Sequence, residues 1–341
     1  MNEYVKKIGS PFFGKELARL KEFLLEQNLS YDESITYTVV LEDDEKIVAT
    51  GSVEKNILKC IAVSNEYQGK NILSLVVSDL IQHLADKNIF HYFGFTKPAN
   101  ETVFSAMGLH AIVQTDDVLL LENKKNGFSS YLQFLIDETN LSNAKENKNA
   151  SHISAIVANC NPFTKGHRHL IETAARECAL VHLFILSEEQ NWITSADRFN
   201  MVKDGVRDLE NVVVHQTKDY LISPVVFPTY FLKDKASALK INCKLDVKIF
   251  CEKIAPALGI TKRYVGDEPF DSVTSEYNEV LKEELPKYGI DVNEIARLKI
   301  DGEIVSASTV RKSIVEKNFA LAKKMLNASS VSYLEKIGVI K

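Results

Sequence analysis

The sequence predicts an α/β protein of two domains, a mixed α/β domain followed by a parallel-sheet domain. Three observations carry this. The chain has 341 residues, more than one hydrophobic core ordinarily serves. A stretch rich in Asn, Lys, Glu and Ser, DETNLSNAKENKNA at residues 137–150, separates two regions of apolar periodicity. Beyond it, short apolar runs alternate with amphipathic segments, the pattern of parallel strands covered by helices. The expected boundaries are therefore 1–136 for the first domain, 137–150 for a linker and 151–341 for the second domain.

In the first domain, Glu16 to Gln27 is predicted helical because Leu17, Leu20, Leu24 and Leu25 fall on one face. Ile35 to Leu41 and Lys46 to Val53 read as strands around the polar turn Glu42-Asp43-Asp44-Glu45. Ile57 to Val63 is a further strand, followed by Tyr67-Gln68-Gly69-Lys70-Asn71 and an apolar-rich helix through Ala85. Ile89 to Phe95 reads as a strand and Ala99 to Met107 as a helix stopped by Gly108. Tyr131 to Ile136 is a short closing helix.

In the second domain, Ile153 to Ala158 is a short buried strand. The helix Arg168 to Ala179 turns Leu170, Ile171, Ala174, Ala175 and Cys178 inward. Val181 to Leu186 is the next strand, and a helix after Ser195 places Phe199, Val202, Val206 and Leu209 inward. Val212 to His215 and Arg263 to Val265 supply two more strands, and helices close the chain from about Thr309.

Composition excludes several function classes. Apolar residues at 45% and charged residues at 26% are those of an ordinary globular protein. A formal net charge of -5 gives no bulk attraction to nucleic acid or anionic membrane, so neither is an expected partner. It leaves room for a local basic pocket around a phosphorylated ligand. Cys60, Cys160, Cys178, Cys243 and Cys251 are odd in number and widely spaced, with no CxxC pair. No metal site is predicted, and a reducing, cytoplasmic location is the simplest reading. The N-terminus MNEYVKKIGSPFF lacks the apolar core of a signal peptide. No apolar run approaches the roughly 20 residues that span a bilayer.

The chemistry concentrates in Asn159-Cys160-Asn161-Pro162-Phe163-Thr164-Lys165-Gly166-His167, between a buried strand and a helix. Strand, tight loop and helix N-terminus hold a nucleotide phosphate through free backbone amides and the helix dipole. The loop is not a Walker loop, since GxxxxGK[ST] is absent. Its Thr164-Lys165-Gly166-His167 resembles the (H/T)xGH signature of the α/β nucleotidyltransferases, and Asn161-Pro162-Phe163 matches that family's approach to it. Attack at an α-phosphorus spreads charge over its oxygens, so catalysis is positioning plus electrostatic stabilisation. Thr164 and His167 would donate to those oxygens, and Gly166 would let the backbone pass close to the triphosphate. Removing one such donor costs on the order of 2.7–4 kcal/mol of transition-state stability. Alone, His167 also reads as an ordinary helix-start histidine, and Cys160 as a small buried loop residue.

A second element, Ser306-Ala307-Ser308-Thr309-Val310-Arg311, resembles the Ser/Thr-rich second signature of the same superfamily. Hydroxyls, helix amides and a guanidinium suit the β- and γ-phosphates that leave as pyrophosphate. A Ser/Thr-rich helix start is otherwise simply a cap. Asn159, Asn161, Pro162, Phe163, Gly166, Ser306, Ser308 and Thr309 are thus the expected ATP-binding residues, with Thr164, His167 and Arg311 as the catalytic set. Gly266-Asp267-Glu268, after a predicted strand, reads equally as an adenosine or metal contact and as a polar turn.

Over most of 151–341 the sequence resembles the citrate (pro-3S)-lyase ligase family. The resemblance runs through Asp197-Arg198-Phe199, Tyr220-Leu221-Ile222-Ser223 and Phe227 to Lys233. It continues through Leu245-Asp246, Ile249-Phe250, Tyr264 to Pro269, Val273-Thr274, Tyr277-Asn278 and Ser306 to Arg311. It implies a Rossmann-like, HUP-type nucleotidyltransferase domain and a reaction in which ATP and acetate form acetyl-adenylate. The acetyl group then passes to the thiol of phosphoribosyl-dephospho-CoA on the acyl-carrier subunit of citrate lyase. ATP is the implied co-substrate, and Mg2+ is expected with it. Tyr220 to Lys233 reads either as lining for an acetate or pantetheine pocket or as aromatic core. Arg198 reads either as a phosphate contact or as a surface helix arginine.

The first domain resembles the GNAT acyltransferases over roughly 1–125. Ala62 to Asn71 is similar to their acetyl-CoA loop, and Asn100 with Phe104 to Leu109 to their late helix and turn. Gln68 keeps the first position of the [QR]xxGx[GA] pattern and Gly69 remains beside it, whereas Asn71 and Leu73 stand where Gly and Gly/Ala are expected. Leu73 would obstruct close backbone approach. This domain is therefore read as binding the CoA-like prosthetic group or the carrier protein, or as structural, rather than as an independent acetyltransferase, with Gln68, Gly69 and Lys70 the candidate contact for a CoA-like arm. Two alternatives remain at this stage. One is an adenylyltransferase acting on phosphopantetheine or a nucleotide; the other is an acyl-CoA-binding regulator in which the GNAT-like domain does the work.

Overall fold

A computed structural model describes the chain except residues 1–3, 143, 188–192, 222–229, 233–237 and 270. It divides into two compact units, Met1–Ser129 with Val226–Leu245, and Ser130–Val225 with Asp246–Lys341. The split differs from the expected boundaries in two respects: the first unit ends at Ser129, so the helix expected at 131–136 and the stretch 137–150 fall in the second, and the segment Val226–Leu245 belongs to the first unit although it follows much of the second in the chain.

The first unit contains β1 (Val5–Gly9), α1 (Gly14–Glu26), β2 (Tyr37–Asp43), β3 (Lys46–Glu54), β4 (Ile57–Val63) and α2 (Ile72–Asp86). β5 (Phe93–Thr96), α3 (Glu101–Ala106), β6 (His110–Gln114) and β7 (Leu119–Glu122) follow. They build a seven-stranded sheet in the order β1-β2-β3-β4-β5-β7-β6, antiparallel except where β4 meets β5. The stripe Ile72, Val76, Leu80 and Leu84 of α2 packs on Val39, Leu41, Ala49 and Leu58 of the sheet. Each such side chain, fully buried, contributes about 1.5–3 kcal/mol. β2 and β3 turn on Asp44 and Glu45, both with positive φ, where Asn-Gly would be the readable signal. β1 is an edge strand carrying Lys6 and Lys7, a composition that guards an edge and hides a strand from pattern reading.

α4 (Gly127–Leu141) carries the short helix expected at 131–136 further at both ends, five residues into the stretch expected as linker. One distant and one local hydrogen bond hold the extension. Glu138, polar by composition, accepts from His215 Nδ1 at 2.9 Å, and Thr139 donates back to Leu135 O at 2.8 Å.

The second unit continues with β8 (Ile153–Ala158), α5 (Lys165–Glu177), β9 (Leu180–Ile185), α6 (Ser195–Gly205), β10 (Val212–Gln216) and α7 (Ala238–Ile249), whose first turns lie in the first unit. α8 (Ala255–Leu258), β11 (Lys262–Gly266), α9 (Ser272–Glu284) and β12 (Asp291–Ile295) follow. A small ribbon, β13 (Lys299–Ile300) and β14 (Glu303–Ile304), leads to α10 (Ala307–Val315), α11 (Phe319–Met325) and α12 (Ala328–Lys336). The five-stranded sheet runs β10-β9-β8-β11-β12 and is parallel throughout. This is the expected Rossmann-like sheet, with β12 as a fifth strand. Ile171 and Ala174 of α5, Val202 of α6 and the C-caps Cys178 and Val206 of these helices pack with Ile156, Val181 and Leu183 of the sheet. A second core joins Val310, Ala322, Met325 and Leu334 of the C-terminal helices with Val305 and Leu326 beside them.

Candidate active site at the reversal of strand order

The strand order reverses between β8 and β11: β9 and β10 extend the sheet on one side and β12 on the other. Ligands of open parallel sheets bind outside the carboxyl ends of strands at such a switch point. Two of the singled-out segments leave the sheet there, Asn159–His167 after β8 and Gly266–Glu268 at the end of β11.

Thr164 is the N-cap of α5. Its Oγ1 accepts from the His167 amide at 3.3 Å, and its own amide donates to His167 Nδ1 at 3.0 Å. This is a capping box with histidine in the place usually held by Glu or Gln. An amide can only meet a lone pair, so Nδ1 is the acceptor and the ring proton sits on Nε2. Burial, then the charges of Arg297 and Arg311, push the His167 pKa down to about 4. The result is a neutral imidazole held as an N–H donor at neutral pH. Thr164 Oγ1 also lies 2.9 Å from Nδ1, so this hydroxyl works on the orientation of His167.

The rest of the loop is fixed from beneath. Phe163 is fully buried, and its carbonyl accepts from the Asn327 amide at 3.2 Å and from Ser330 Oγ at 2.8 Å. Pro162 is buried beside it. A Cβ on Gly166 would lie 3.1 Å from Val305 O, so the first reason for glycine here is close approach to the start of α10. Cys160 is buried with φ 50, and burial pushes its thiol up to about 12, as suits a loop residue rather than a nucleophile. Arg198 corrects the surface-arginine reading. It is fully buried on α6 and donates from Nη1 to Asn159 O at 2.9 Å and also to Asn159 Oδ1. The guanidinium thus holds the exit of β8. Asn161 Oδ1 is buried without a partner among the described residues, an open acceptor costing about 1–3 kcal/mol.

The second signature arrives at the same place. Ser306 caps α10 by accepting from the Thr309 amide at 3.0 Å, with Ser308 Oγ at 3.0 Å and Thr309 Oγ1 at 2.8 Å from its hydroxyl. From α10, Arg311 Nη1 donates to Asn161 O at 2.6 Å. Residues 150 positions apart in sequence are therefore joined directly. Desolvation lowers the Arg311 pKa, although the guanidinium keeps its charge.

At β11, Asn278 Nδ2 donates to Gly266 O at 3.0 Å. Asp267 and Glu268 both face Arg297. Its amide donates to Asp267 Oδ1 at 2.9 Å, its Nε to Asp267 O at 2.7 Å, and its Nη2 pairs with Glu268 Oε2. The segment is thus more than a polar turn: it anchors a cation that also acts on His167. Sequence reading missed Arg297 because it lies two residues beyond β12, an edge strand of sequence DVNEI with no apolar run to announce it. Among the described residues, no group of three or more His, Cys, Asp or Glu could hold a metal ion. No helix is long and apolar enough to cross a membrane.

Two predicted segments fall elsewhere. Of Tyr220 to Lys233, residues 222–229 and Lys233 lie outside the described residues; Tyr220 and Leu221 are buried, and Tyr230 and Phe231 are buried with Tyr230–Leu232 counted in the first unit. Gln68, Gly69 and Lys70 precede α2 in the first unit. Gly69 has φ 79, Gln68 Nε2 donates to Asn65 Oδ1 at 3.0 Å, and Lys70 Nζ sits 4.3 Å over the Tyr67 ring.

The chain is similar to known proteins along nearly its whole length. The family model of the citrate lyase ligase C-terminal domain matches residues 153–334. A citrate (pro-3S)-lyase ligase of Haemophilus influenzae is 36% identical over 331 residues, 95% of this chain and 96% of that one. Those of Escherichia coli K12 and Klebsiella pneumoniae are 32% and 33% identical, over 95% and 92% of this chain and 91% of each relative. Among solved structures, an acyl-CoA N-acyltransferase from Pseudomonas aeruginosa aligns over 36% of this chain and 99% of its own, at 11% identity and a TM-score of 0.31. At that score the first unit's architecture rests on its own strand order. With both phosphate signatures joined at the sheet's switch point and this identity along nearly its whole length, the chain belongs to the citrate (pro-3S)-lyase ligase family.

Proposed function

We propose that this chain activates citrate lyase as an AMP-forming acid–thiol ligase, acetylating the thiol of the lyase's acyl carrier at the expense of ATP. The reading rests first on the family. Within the structure, the observation that carries it is the Arg311–Asn161 bond, which joins the two phosphate signatures beside the Nε2–H of a neutral His167.

The steps follow from elementary reactivity. A carboxylate is a poor acyl donor until its oxygen becomes a phosphate leaving group. An acetate oxygen attacks the α-phosphorus of ATP; the bond from that phosphorus to the bridging oxygen breaks, and diphosphate leaves. The carrier thiol, losing its proton, attacks the acetyl carbon of the acetyl-adenylate. The bond from the acyl carbon to the oxygen breaks, and AMP leaves. His167 donates to an α-phosphoryl oxygen as charge develops there. Arg311, the α10 amides and the hydroxyls of Ser308 and Thr309 hold the departing phosphates. Arg297 adds a second guanidinium to the field at His167. Thr164, Gly166, Asn159, Asn161, Pro162 and Phe163 shape the loop, and Gly266, Asp267 and Glu268 close the β11 side. Mg2+ would enter on the nucleotide's own phosphates, since the described residues offer no cage.

In the first unit, the N-terminal turn of α2 with Gln68, Gly69 and Lys70 is read as the contact for phosphates of the carrier's phosphoribosyl-dephospho-CoA arm. The decisive test supplies purified chain with acetate, Mg-ATP and deacetylated carrier. AMP, diphosphate and acetyl thioester in equal amounts are expected. Formation of neither AMP nor thioester would sink the proposal. An acetate-independent dinucleotide product would instead support the adenylyltransferase reading, and tight acetyl-CoA binding without ATP binding the regulator.

A further inference from the structure

Acetate is an anion, and it must approach a phosphorus already surrounded by negative oxygens. In an in-line displacement the attacking and departing oxygens lie on opposite sides of that phosphorus. In the function proposed above, the α10 amides, the hydroxyls of Ser308 and Thr309 and Arg311 serve the departing diphosphate. A cation for the incoming carboxylate must therefore come from another element.

The other cations of the His167 loop and its supports are engaged elsewhere. Arg198 is fully buried and bound to Asn159. Lys165 Nζ donates to Lys324 O at 2.7 Å, near the end of α11. Arg168 is paired with Glu172 and Asp208. Arg297 differs from these. The Val305 amide donates to Leu298 O at 2.9 Å, and a Cβ on Gly166 would lie 3.1 Å from Val305 O. Arg297 is thus the neighbour of a residue pair that touches the turn before His167. Independently, its charge acts on His167 more strongly than that of Arg311.

The way Arg297 is held leaves one donor group over. Nε donates to Asp267 O at 2.7 Å, Nη2 pairs with Glu268 Oε2, and the backbone amide is fixed on Asp267 Oδ1 at 2.9 Å. Among the described residues no acceptor meets Nη1, and the side chain keeps 23% of its surface open. A guanidinium that meets a carboxylate through a two-nitrogen fork takes both of its oxygens. Here the side-on fork, Nε with Nη2, is already filled by Asp267 and Glu268. A carboxylate that meets Nη1 is held by one oxygen, and the other keeps its lone pairs for the phosphorus.

We propose that Arg297 Nη1 binds one carboxylate oxygen of acetate beyond the end of β12 and presents the other to the α-phosphorus of ATP. Asp267 and Glu268 position the guanidinium. This names the residue that recruits the carboxylate, and it rests on the ligase reading above.

The test compares two half-reactions at about pH 8, where His167 is neutral with or without Arg297. In Arg297→Ala, the KM for acetate in ATP–diphosphate exchange is expected to rise about 10- to 100-fold, while the KM for ATP stays within about threefold. Presynthesised acetyl-adenylate bypasses the acetate step. Its transfer to the deacetylated carrier is expected to stay within about threefold of wild type. An unchanged KM for acetate overturns the proposal, as does an equal loss in both half-reactions. Should Arg297→Ala lose its near-UV circular dichroism, Arg297→Lys carries the same test. An ammonium lacks the planar fork that meets Asp267, Glu268 and a third acceptor together. A rise of about tenfold in the KM for acetate is then expected, and the same two results overturn the proposal. Wild-type protein without acetate-dependent exchange would instead defeat the ligase reading itself.

Discussion

Two loops in this chain share one plan. Each leaves a strand, turns, and delivers backbone amides at a helix N-terminus: Asn159–His167 into α5, and Ser64–Asn71 into α2. What surrounds them differs. At α5 the cap is a reciprocal pair, Thr164 with His167, and two arginines act on the histidine from other elements. At α2 the N-cap Asn71 makes no side-chain cap, and the loop's cation Lys70 lies over its own neighbour Tyr67. A helix N-terminus favours an anion wherever it occurs. Chemistry requires that separate elements fix a donor in one protonation state and one direction, and the α5 loop has that support.

The comparison can be broken most forcefully at His167. His167→Ala is expected to lower acetate-dependent ATP–diphosphate exchange about 100- to 1,000-fold, while the far-UV spectrum is retained. A rate within a few-fold of wild type would place the α5 loop on the same footing as the α2 loop. Arg311→Ala removes a charged hydrogen bond to Asn161 O together with the proposed phosphate ligand. The expected loss in kcat/KM for ATP is about 10- to 100-fold. If only KM for acetate moves, the pyrophosphate assignment is wrong.

The pH dependence follows from His167. Its folded pKa, about 4, lies below the ordinary value of 6.5. Between these values the unfolded chain binds a proton that the folded chain does not, so stability rises with pH across this window. The contribution is complete above about pH 6.5 and is lost as pH falls toward 4. Activity should show no His167 inflection near 6.5. Removing the second-largest cause, as in Arg297→Ala, moves the His167 pKa upward, readable by NMR titration of the ring. No movement would detach Arg297 from the site.

Gly166→Ala sets a methyl 3.1 Å from Val305 O. The expected destabilisation is about 1–3 kcal/mol in urea unfolding, with a smaller loss of rate as α10 shifts against α5. The least effect belongs to the α2 loop: Lys70→Ala should raise KM for the carrier no more than about tenfold. A larger effect would make that loop the stronger of the two sites.

Much of this contrast was legible in the sequence, and the gaps have physical causes. β8, β9 and β10 announce themselves as buried apolar runs, and Thr164–His167 and Ser306–Arg311 stand out as residue patterns. β12 and Arg297 were invisible because DVNEI is an edge strand whose charges face water. Arg198 looked like a surface residue because nothing local reveals that a helix face will bury a guanidinium against a loop 39 residues away. Glu138 read as linker because its partner, His215, lies 77 residues on. The assignment of Val226–Leu245 to the first unit depends on contacts such as Tyr230 with Ser30, separated by 200 residues, which no local pattern records.

The central claim is that acetate attacks the α-phosphorus at the His167 loop. Turnover with doubly 18O-labelled acetate and deacetylated carrier tests it directly, by mass spectrometry of the nucleotide product. The account predicts AMP carrying one acetate oxygen and unlabelled diphosphate. Label in phosphate or diphosphate, or unlabelled AMP beside acetylated carrier, would contradict it.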